Sequence, residues 1–557
     1  MSINKVDFKI LSSLEKCFLD DDIAKKTEIS RASILKKEKL SFQLAYTTKD
    51  VIADTTFISL AVEGQFKDCL KIGRVINVPC VYPAYTNRRD DYYLRTEPGL
   101  YPDLILPISY NGKLNLVQNS LLSLWVDLEM PENIKEGQYN FKFSLSDENG
   151  NNLAEKEFTV EVFDSVLPPQ KLLHTEWFHS DCLAEYYNLE TFSEKHWEVI
   201  ENFVKTAAQN GINVMMIPLI TPALDTYVGG ERKTCQLVDI FIENGKFRFD
   251  FSAAERWIKM CESHGITKFE IPPLFTQWGA KNAPKIMVYE NGIYKRFFGW
   301  ETEASSEEYI YFLKAFIPEM LKEFDRLGIR QEDCFFHISD EPDTKDIEMY
   351  EETFNIVKQM LKGYTIIDAV WSVPLYKTGI LSTPVISIGG VDNFKKEGAK
   401  DYWIYYCGGH CNEVSNRYLS MPLARTRILG VQLYKDNAVG FLHWGYNYYH
   451  NRYSYDTVNP FLETSAEYFA PGGDAFIVYP GQNGEPCESI RLKAIRDAMQ
   501  DIRALELCEK LYGREYVINL INEGLDYELD YKNYPHCDEY LLELRKKVNK
   551  AIAEKTK

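Results

Sequence analysis

The sequence predicts a multidomain protein: an N-terminal antiparallel β-sandwich over residues 1–165, a (β/α)8 TIM-type barrel over 172–515, and a C-terminal helical extension over 516–557. Three observations carry this. The first 165 residues hold short runs with partial period-two alternation, separated by turn residues. After the proline linker "VLPPQK", 166–171, the rhythm changes to apolar runs alternating with amphipathic helical stretches, as in a parallel sheet covered by helices. Eight such runs can be counted, which favours a barrel over a doubly wound sheet.

In the first region "KLSFQLAYTT" alternates in part and "CLKIGRVINVPCVYPAY" is rich in β-branched residues. "QYNFKFSLS" and "KEFTVEVF" alternate around "DENGNN", a hairpin signal. The second region opens with the strand "LLHTEWFH", the helix "SEKHWEVIENFVKTAAQNG" and the strand "INVMMIPLI". A polar hairpin, "VDIFIENGKFRFD", precedes the helix "SAAERWIKMCESHG" and the third strand, "ITKFEIPPLF". An insertion follows, then the helix "SSEEYIYFLKAFIPEMLKEFDRLG", the fourth strand "EDCFFHIS" and the helix "TKDIEMYEETFNIVKQMLKG". "TIIDAVWSV", "PVISIGG", "DYWIYYCGG" and "AVGFLHWGYN" complete the eight, with weak helical patterning after the fifth and sixth. "SIRLKAIRDAMQDIRALELCEKLYG" closes the barrel as its last helix.

Composition narrows the function. With 82 acidic against 63 basic residues the net charge is −19, which repels phosphate backbones and makes nucleic acid an unfavourable partner. No apolar run reaches 18 residues, so no membrane insertion is expected. The N-terminus lacks a continuous apolar signal region; the expected compartment is the cytoplasm, unless a signal has been removed. The 12 cysteines lack framework spacing and read as reduced, mostly buried thiols. "CGGHC", Cys407 to Cys411 with His410, holds three soft ligands but has no second Cys/His pair at zinc spacing. It reads as a glycine turn, and neither a metal nor a cofactor is expected.

A barrel concentrates its chemistry at the C-terminal ends of its strands. Those ends carry Trp177 and His179 on strand one, Gln277 and Trp278 on strand three, and Trp371 on strand five. Strand seven carries Tyr405 and Tyr406; strand eight carries Trp444, Tyr446, Asn447 and Tyr448. Aromatics on so many ends favour a lined cavity, and aromatic rings stack on the apolar faces of sugars. For Trp177 and Trp371 barrel packing is an equal reading. His179 reads first as a partner of a backbone carbonyl, His337 as a satisfied core histidine, and Asn447 as a sugar-hydroxyl partner or a turn former. Arg425 and Arg427 either balance the carboxylates or sit on a helix surface.

Strand four ends on two adjacent acids, Asp340 and Glu341, followed by Pro342. Acids and proline also mark helix N-termini. No serine-hydrolase, zinc-protease or nucleotide-binding motif competes. Adjacent strand residues point to opposite faces, so these two make a poor nucleophile–acid pair across one glycosidic bond, where separations run about 5 to 9 Å. They suit another division of labour. Glu341 protonates the leaving oxygen, and Asp340 orients a substrate 2-acetamido group whose carbonyl attacks the anomeric carbon, giving an oxazoline and retention. Pro342 biases Glu341 away from helical geometry, which lets both side chains reach one cavity.

"FFHISDEPD", "AVGFLHWGYNYY" and "APGGDAFIVYPG…ESIRLKAIRDAMQDIRALEL" resemble glycoside hydrolase family 123, and "KLSFQLAY" with "YPDLILPI…LWVDLEMPENIKEGQYNF" resembles that family's sandwich domain. The resemblance spans about residues 38 to 515. It implies a retaining β-N-acetylgalactosaminidase using substrate-assisted catalysis on glycans, including glycosphingolipid oligosaccharides; a pocket closed by several Trp and Tyr favours exo action at chain ends. Asp340 and Glu341 match the family's catalytic pair. The resemblance also implies an aromatic acetamido pocket from Trp371, Tyr406, Trp444 and Tyr446; the strand ends add His179, Gln277, Trp278 and Asn447 to the expected binding set. Two rival readings are an N-acetylglucosamine-preferring hexosaminidase and a non-hydrolytic glycan-binding protein. The oligomeric state is left open.

Overall fold

A computed structural model describes residues 5–52, 56–108, 112–381 and 383–556. The N-terminal region is a pair of five-stranded sheets. One runs, in spatial order, Asp7–Ser12, Lys39–Thr47, Leu122–Glu129, Leu70–Cys80 and Gly99–Pro107. The other runs Arg31–Lys36, Asn152–Val166, Gly137–Ser146, Thr56–Glu63 and Lys113–Leu116. Among the described residues all neighbours are antiparallel except Arg31–Lys36, which runs parallel to Asn152–Val166. Phe42 of the first sheet stacks on Phe158 of the second at 4.4 Å and meets Phe143 edge-on at 5.8 Å.

The second sheet alternates cleanly because one of its faces meets solvent. Lys39–Thr47 does not alternate: Ser41 to Thr47 are all buried. The cause is tertiary. Val75, Val78, Tyr101, Leu104 and Trp125, all on the first sheet, share one core with the helices of the second region, so that sheet is covered on both sides.

The second region is built on a curled sheet in which every pairing is parallel. Its order is Thr365–Ile366, Cys334–Phe336, Lys268–Ile271, Val214–Met216, Leu173–Glu176, Gly440–His443, Trp403–Tyr405, Val385–Ser387, Ala369–Val370. All eight predicted runs contain a strand, each shorter than its run. The fifth is in two pieces, which form the two edges of the sheet. Only Ile367 and Asp368 separate them; Ile367 N–H donates to Phe336 O at 2.9 Å, and Val385 N–H to Asp368 O at 3.1 Å.

Helices Glu194–Gln209, Glu307–Arg326 and Ile490–Tyr512 each start on a serine whose hydroxyl accepts a first-turn N–H. The helices after the fifth and sixth runs are only five and six residues long, as the weak patterning there foretold. The insertion after strand three is a second hairpin, Ile286–Glu290 with Ile293–Phe298, which joins the first, Asp239–Glu243 with Lys246–Asp250, in a four-stranded sheet.

Four arginines of the second half reach carboxylates of the sandwich. Arg491 grips Asp103 through Nε and NH2, both at 2.8 Å, and Arg496 meets Asp127 at 3.2 Å. Arg425 grips Asp90 through both NH groups at 2.8 and 2.6 Å. Arg545 on the last helix, Asp538–Thr556, reaches Glu38 at 2.7 Å, and Asn549 donates to Ser33 O at 3.1 Å. The two arginines left open by the sequence are thereby placed. Arg425 ties the two regions together, and Arg427 binds Asp501 through Nε at 2.7 Å and NH2 at 2.9 Å. Neither is helix-surface charge, since the whole helix Leu423–Arg427 is buried. Among the described residues no helix is long and apolar enough to cross a membrane.

Candidate active site

At the C-terminal ends of the parallel strands lies a cleft of about 300 Å³. Asp340 and Glu341 both line it. The ladder of strand four ends at Phe336, so the alternation rule no longer governs the acids. Glu341 takes φ +40°, the left-handed region that costs a non-glycine residue energy and is concentrated at functional sites. Three other cleft residues share it: Asp225 at +42°, Trp278 at +59° and Tyr453 at +60°. The rim is braced: Trp278 N–H donates to Asp340 O at 2.9 Å, and the Tyr405 hydroxyl donates to Glu341 Oε1 at 2.6 Å.

Both carboxyls are held above their usual range. For Asp340 burial is the main cause and the neighbouring Glu341 charge the second; for Glu341 burial raises and the Tyr405 hydrogen bond opposes. Burial and mutual repulsion therefore favour one negative charge on the pair over two.

Beneath them His337 faces Glu270 at 2.6 Å and Asp368 at 3.2 Å. Burial works against its charge, but the hydrogen bonds to Asp368 and Glu270 win and raise its pKa to about 10. His337 is thus an imidazolium donating from both nitrogens, a satisfied core histidine. Glu270 also accepts from Thr175 Oγ1 at 2.5 Å and Trp177 Nε1 at 3.0 Å. Asp368, at the join of the split strand, accepts the Ile338 N–H at 3.0 Å and the Tyr350 hydroxyl. Trp177 also lines the cleft, so it both packs and forms wall.

Of the sequence-predicted binding residues, His179, Gln277, Trp278 and Trp444 line the cleft. His179 accepts from Arg232 at Nδ1 (3.1 Å) and donates from Nε2 to Trp444 O (2.9 Å); burial, then the guanidinium, push its pKa to about 3. Gln277 anchors the 225–226 loop, accepting from Asp225 N–H and donating to Thr226 O at 3.0 Å. The other four are not brought in. Trp371 faces solvent at 52 % exposure. Tyr406, the first residue past the strand Trp403–Tyr405, is buried away from the cleft and packs on Phe441 and His443. The Tyr446 hydroxyl donates to Phe203 O at 3.0 Å. Asn447 accepts His179 N–H at 2.9 Å and donates to His179 O at 3.0 Å, which positions strand one's end.

Three cleft groups escaped the sequence reading as site residues. Asp474, the acid of "PGGD", accepts from Trp444 Nε1 at 3.0 Å; burial lifts its carboxyl to about 6, against Arg417 and the Trp444 bond. Its Oδ1 is buried and faces His443 Nε2 at 3.4 Å. The strand-seven loop approaches it closely: a Cβ on Gly408 would meet Ala470 Cβ at 2.6 Å and Asp474 Oδ2 at 3.1 Å. Asp225 accepts from the Tyr448 hydroxyl at 2.5 Å, and burial raises its carboxyl too. Tyr85 reaches the cleft from the sandwich loop between Cys80 and Gly99, where the sequence offered no chemistry. "PGGD" was itself a visible signal for Asp474; for Tyr85 no local signal exists.

The "CGGHC" turn gathers no ligand set. His410 donates to Ser387 Oγ at 2.6 Å and accepts Cys407 N–H at 2.9 Å, while Cys411 Sγ points to Arg88 O. Among the described residues Asp181, Cys182 and His450 bring ligand atoms within 4.8 Å of one another. Arg232 holds both Asp181 oxygens, at 2.7 and 2.8 Å, so a cation there would meet a guanidinium.

The comparisons with known proteins bear on this site. By overall structure the chain is similar to a family 123 glycoside hydrolase from Clostridium perfringens, whose structure is described for glycolipid glycan hydrolysis, with a TM-score of 0.71 and 17% identity over 99% of this chain and 98% of that one. Weaker likenesses are a putative β-galactosidase from Bacteroides fragilis (TM-score 0.30, 9% identity, 87% of this chain and 60% of that one) and an endo-β-1,4-mannanase from Thermotoga petrophila (0.34, 13%, 60% and 77%). No curated protein sequence matches. The sequence profile of the glycoside hydrolase 123 catalytic domain matches residues 177–508, well over half the chain, and the chain therefore belongs to glycoside hydrolase family 123.

Proposed function

We propose that this glycosidase is a retaining, exo-acting β-N-acetylgalactosaminidase working by substrate-assisted catalysis on terminal residues of glycans, glycolipid oligosaccharides included. The observation that carries the mechanism is the pair Asp340–Glu341: sequence neighbours, one in left-handed backbone, both lining one cleft. Sequence neighbours lining one cleft make a poor nucleophile–acid pair across a glycosidic bond, which supports a nucleophile that comes with the substrate.

The steps follow. A substrate acetamide N–H at Asp340 stabilises its carboxylate and leaves the pair's proton on Glu341. Glu341 gives that proton to the leaving oxygen as the acetamido carbonyl attacks the anomeric carbon. Glu341, now ionised and steadied by Tyr405, takes a proton from water, which opens the oxazoline. Asp474 and Asp225 stand ready to accept from sugar hydroxyls. A cleft of about 300 Å³, at the small end of ligand sites, suits one terminal sugar. We read the curled sheet as a closed (β/α)8 barrel with its fifth strand in two pieces, which places the site at the usual end of that fold. The glycolipid substrate class is extended from the Clostridium perfringens relative.

A panel of aryl β-glycosides tests the reading. The N-acetylgalactosaminide is cleaved fastest, and the galactoside and glucoside, which lack the acetamide, are not cleaved; equal rates on galactoside and N-acetylgalactosaminide refute assistance. Faster cleavage of the N-acetylglucosaminide would favour the hexosaminidase reading. Glu341→Gln lowers kcat on a natural glycoside by about 10²- to 10⁴-fold, the range of general acid catalysis, and a good leaving group restores part of it. Asp340→Asn slows oxazoline formation on every substrate.

A further inference from the structure

The aromatic lining of the cleft does not stop at its mouth. Trp278, beside the carboxylate pair, meets Tyr453 edge-on at 5.3 Å between ring centroids, and Tyr453 lies 6.2 Å from Tyr455. Tyr455 stacks on Tyr227 at 4.4 Å with 21° between the planes. Trp278 and Tyr453 line the cleft; Tyr455 stands outside it and is 65 % exposed. Tyr227 covers one face of Tyr455, and the other side is open to solvent.

This surface is held rather than loose. Tyr227 N–H donates to Tyr453 O at 3.1 Å, and Ser454 Oγ donates to Asp225 O at 2.8 Å, so the loops after strands two and eight are tied together. Tyr453 and Ser454 both take left-handed φ, +60° and +55°, a backbone cost that must be met by the surrounding structure. Tyr455, presented to water beside a strained, pinned turn and backed by the half-buried Tyr227, gains nothing from the fold by its exposure. The two rings are continuous with the cleft, and a flat apolar face with polar edges is what a pyranose ring needs on one side.

We propose that Tyr455, backed by Tyr227, is a stacking platform for the leaving-group side of the substrate: a sugar one or two residues beyond the scissile bond, reached past Trp278 and Tyr453. The ligand class is a neutral oligosaccharide, and the platform makes the enzyme favour glycan chains over short aglycones. The inference rests on the glycosidase reading of the cleft but not on which sugar is cleaved.

The test compares KM and kcat on the aryl monosaccharide and on an oligosaccharide carrying the same terminal sugar linked to a lactose-type disaccharide. Tyr455→Ala raises KM for the oligosaccharide by about ten-fold, the scale of one lost aromatic contact, and leaves both constants for the aryl substrate unchanged. Tyr227→Ala moves KM in the same direction, and Tyr455→Phe behaves as the parent. An unchanged oligosaccharide KM in Tyr455→Ala overturns the proposal. So does an equal loss on both substrates, because that marks a structural role. If the sugar cleaved is not N-acetylgalactosamine, the function proposed above fails, while the platform is read in the same way on the oligosaccharide of the sugar that is cleaved.

Discussion

Glu341 is set by two neighbours, Pro342 and Tyr405, that the sequence made legible to different degrees. Pro342 was legible as a restraint on its backbone, and the structure shows the outcome as φ +40°. Tyr405 was legible only as one of two adjacent tyrosines; which of them faces the cleft depends on where the strand's pleat falls. Its hydroxyl favours the ionised form of Glu341. Tyr405→Phe removes that opposing effect and leaves burial to act alone, so the Glu341 carboxyl rises further. With Glu341 as the proton donor, the limb on which kcat/KM falls as pH rises moves to higher pH, and a pH–rate profile on an aryl glycoside reads the shift. A profile that keeps its alkaline limb in place shows that Tyr405 does not govern this acid. Asp474 was legible as part of a motif but not as wall, because its approach depends on Gly408 coming from a loop more than sixty residues earlier.

At the level of elements, pattern located the strands well and their ends poorly. "EDCFFHIS" reads as eight extended residues, yet only Cys334–Phe336 pairs. His337 N–H still reaches Ile271 O at 3.3 Å, but the Ile338 and Ser339 N–H groups turn to a side chain, the Asp368 carboxylate, and the ladder stops. Apolar character continues past the ladder, so periodicity could not show the break. The second hairpin was legible in principle, since "YENGIY" repeats the Asn-Gly turn of "IENGKF", but the run between a strand and a long helix was read as an insertion. Close helix contact leaves a different mark. A Cβ on Gly430 would fall 2.2 Å from Ala498 O on helix Ile490–Tyr512. Gly430→Ala must push that helix away, an overpacking cost of about 1 to 3 kcal/mol. A lowered thermal midpoint in calorimetry, with the active-site residues untouched, is the expected outcome; an unchanged midpoint would show that the two helices can part freely.

Across the whole molecule, the sandwich and the catalytic region meet through buried charge. Arg491, Arg425 and Arg417 are among the largest fully buried side chains, and the first two face sandwich carboxylates. None of this follows from local pattern: Asp90 and Arg425 lie 335 residues apart, and an arginine in a short amphipathic stretch reads as surface. Removing one partner of a buried pair leaves the other uncompensated, at about 3 to 5 kcal/mol. Asp90→Ala therefore lowers the thermal midpoint. Because Asp90 sits in the same loop as Tyr85, it also raises KM on the aryl glycoside; an unchanged KM would mean that the loop holds its place without the pair. The loop is clamped elsewhere as well: Ser420 O accepts Leu94 N–H at 2.8 Å, and Tyr82 O accepts Gly472 N–H at 2.8 Å.

Tyr85 has a consequence for how such chains can be recombined. One wall of the cleft is supplied from outside the stretch that the family profile covers, so the sandwich is no interchangeable cassette. A hybrid that joins this catalytic half to a relative's sandwich would inherit a foreign wall and a foreign set of partners for Arg425, Arg491 and Arg496. Residues 81–98 would have to travel with the 407–421 loop they clasp, and the two halves are best regarded as a single heritable unit.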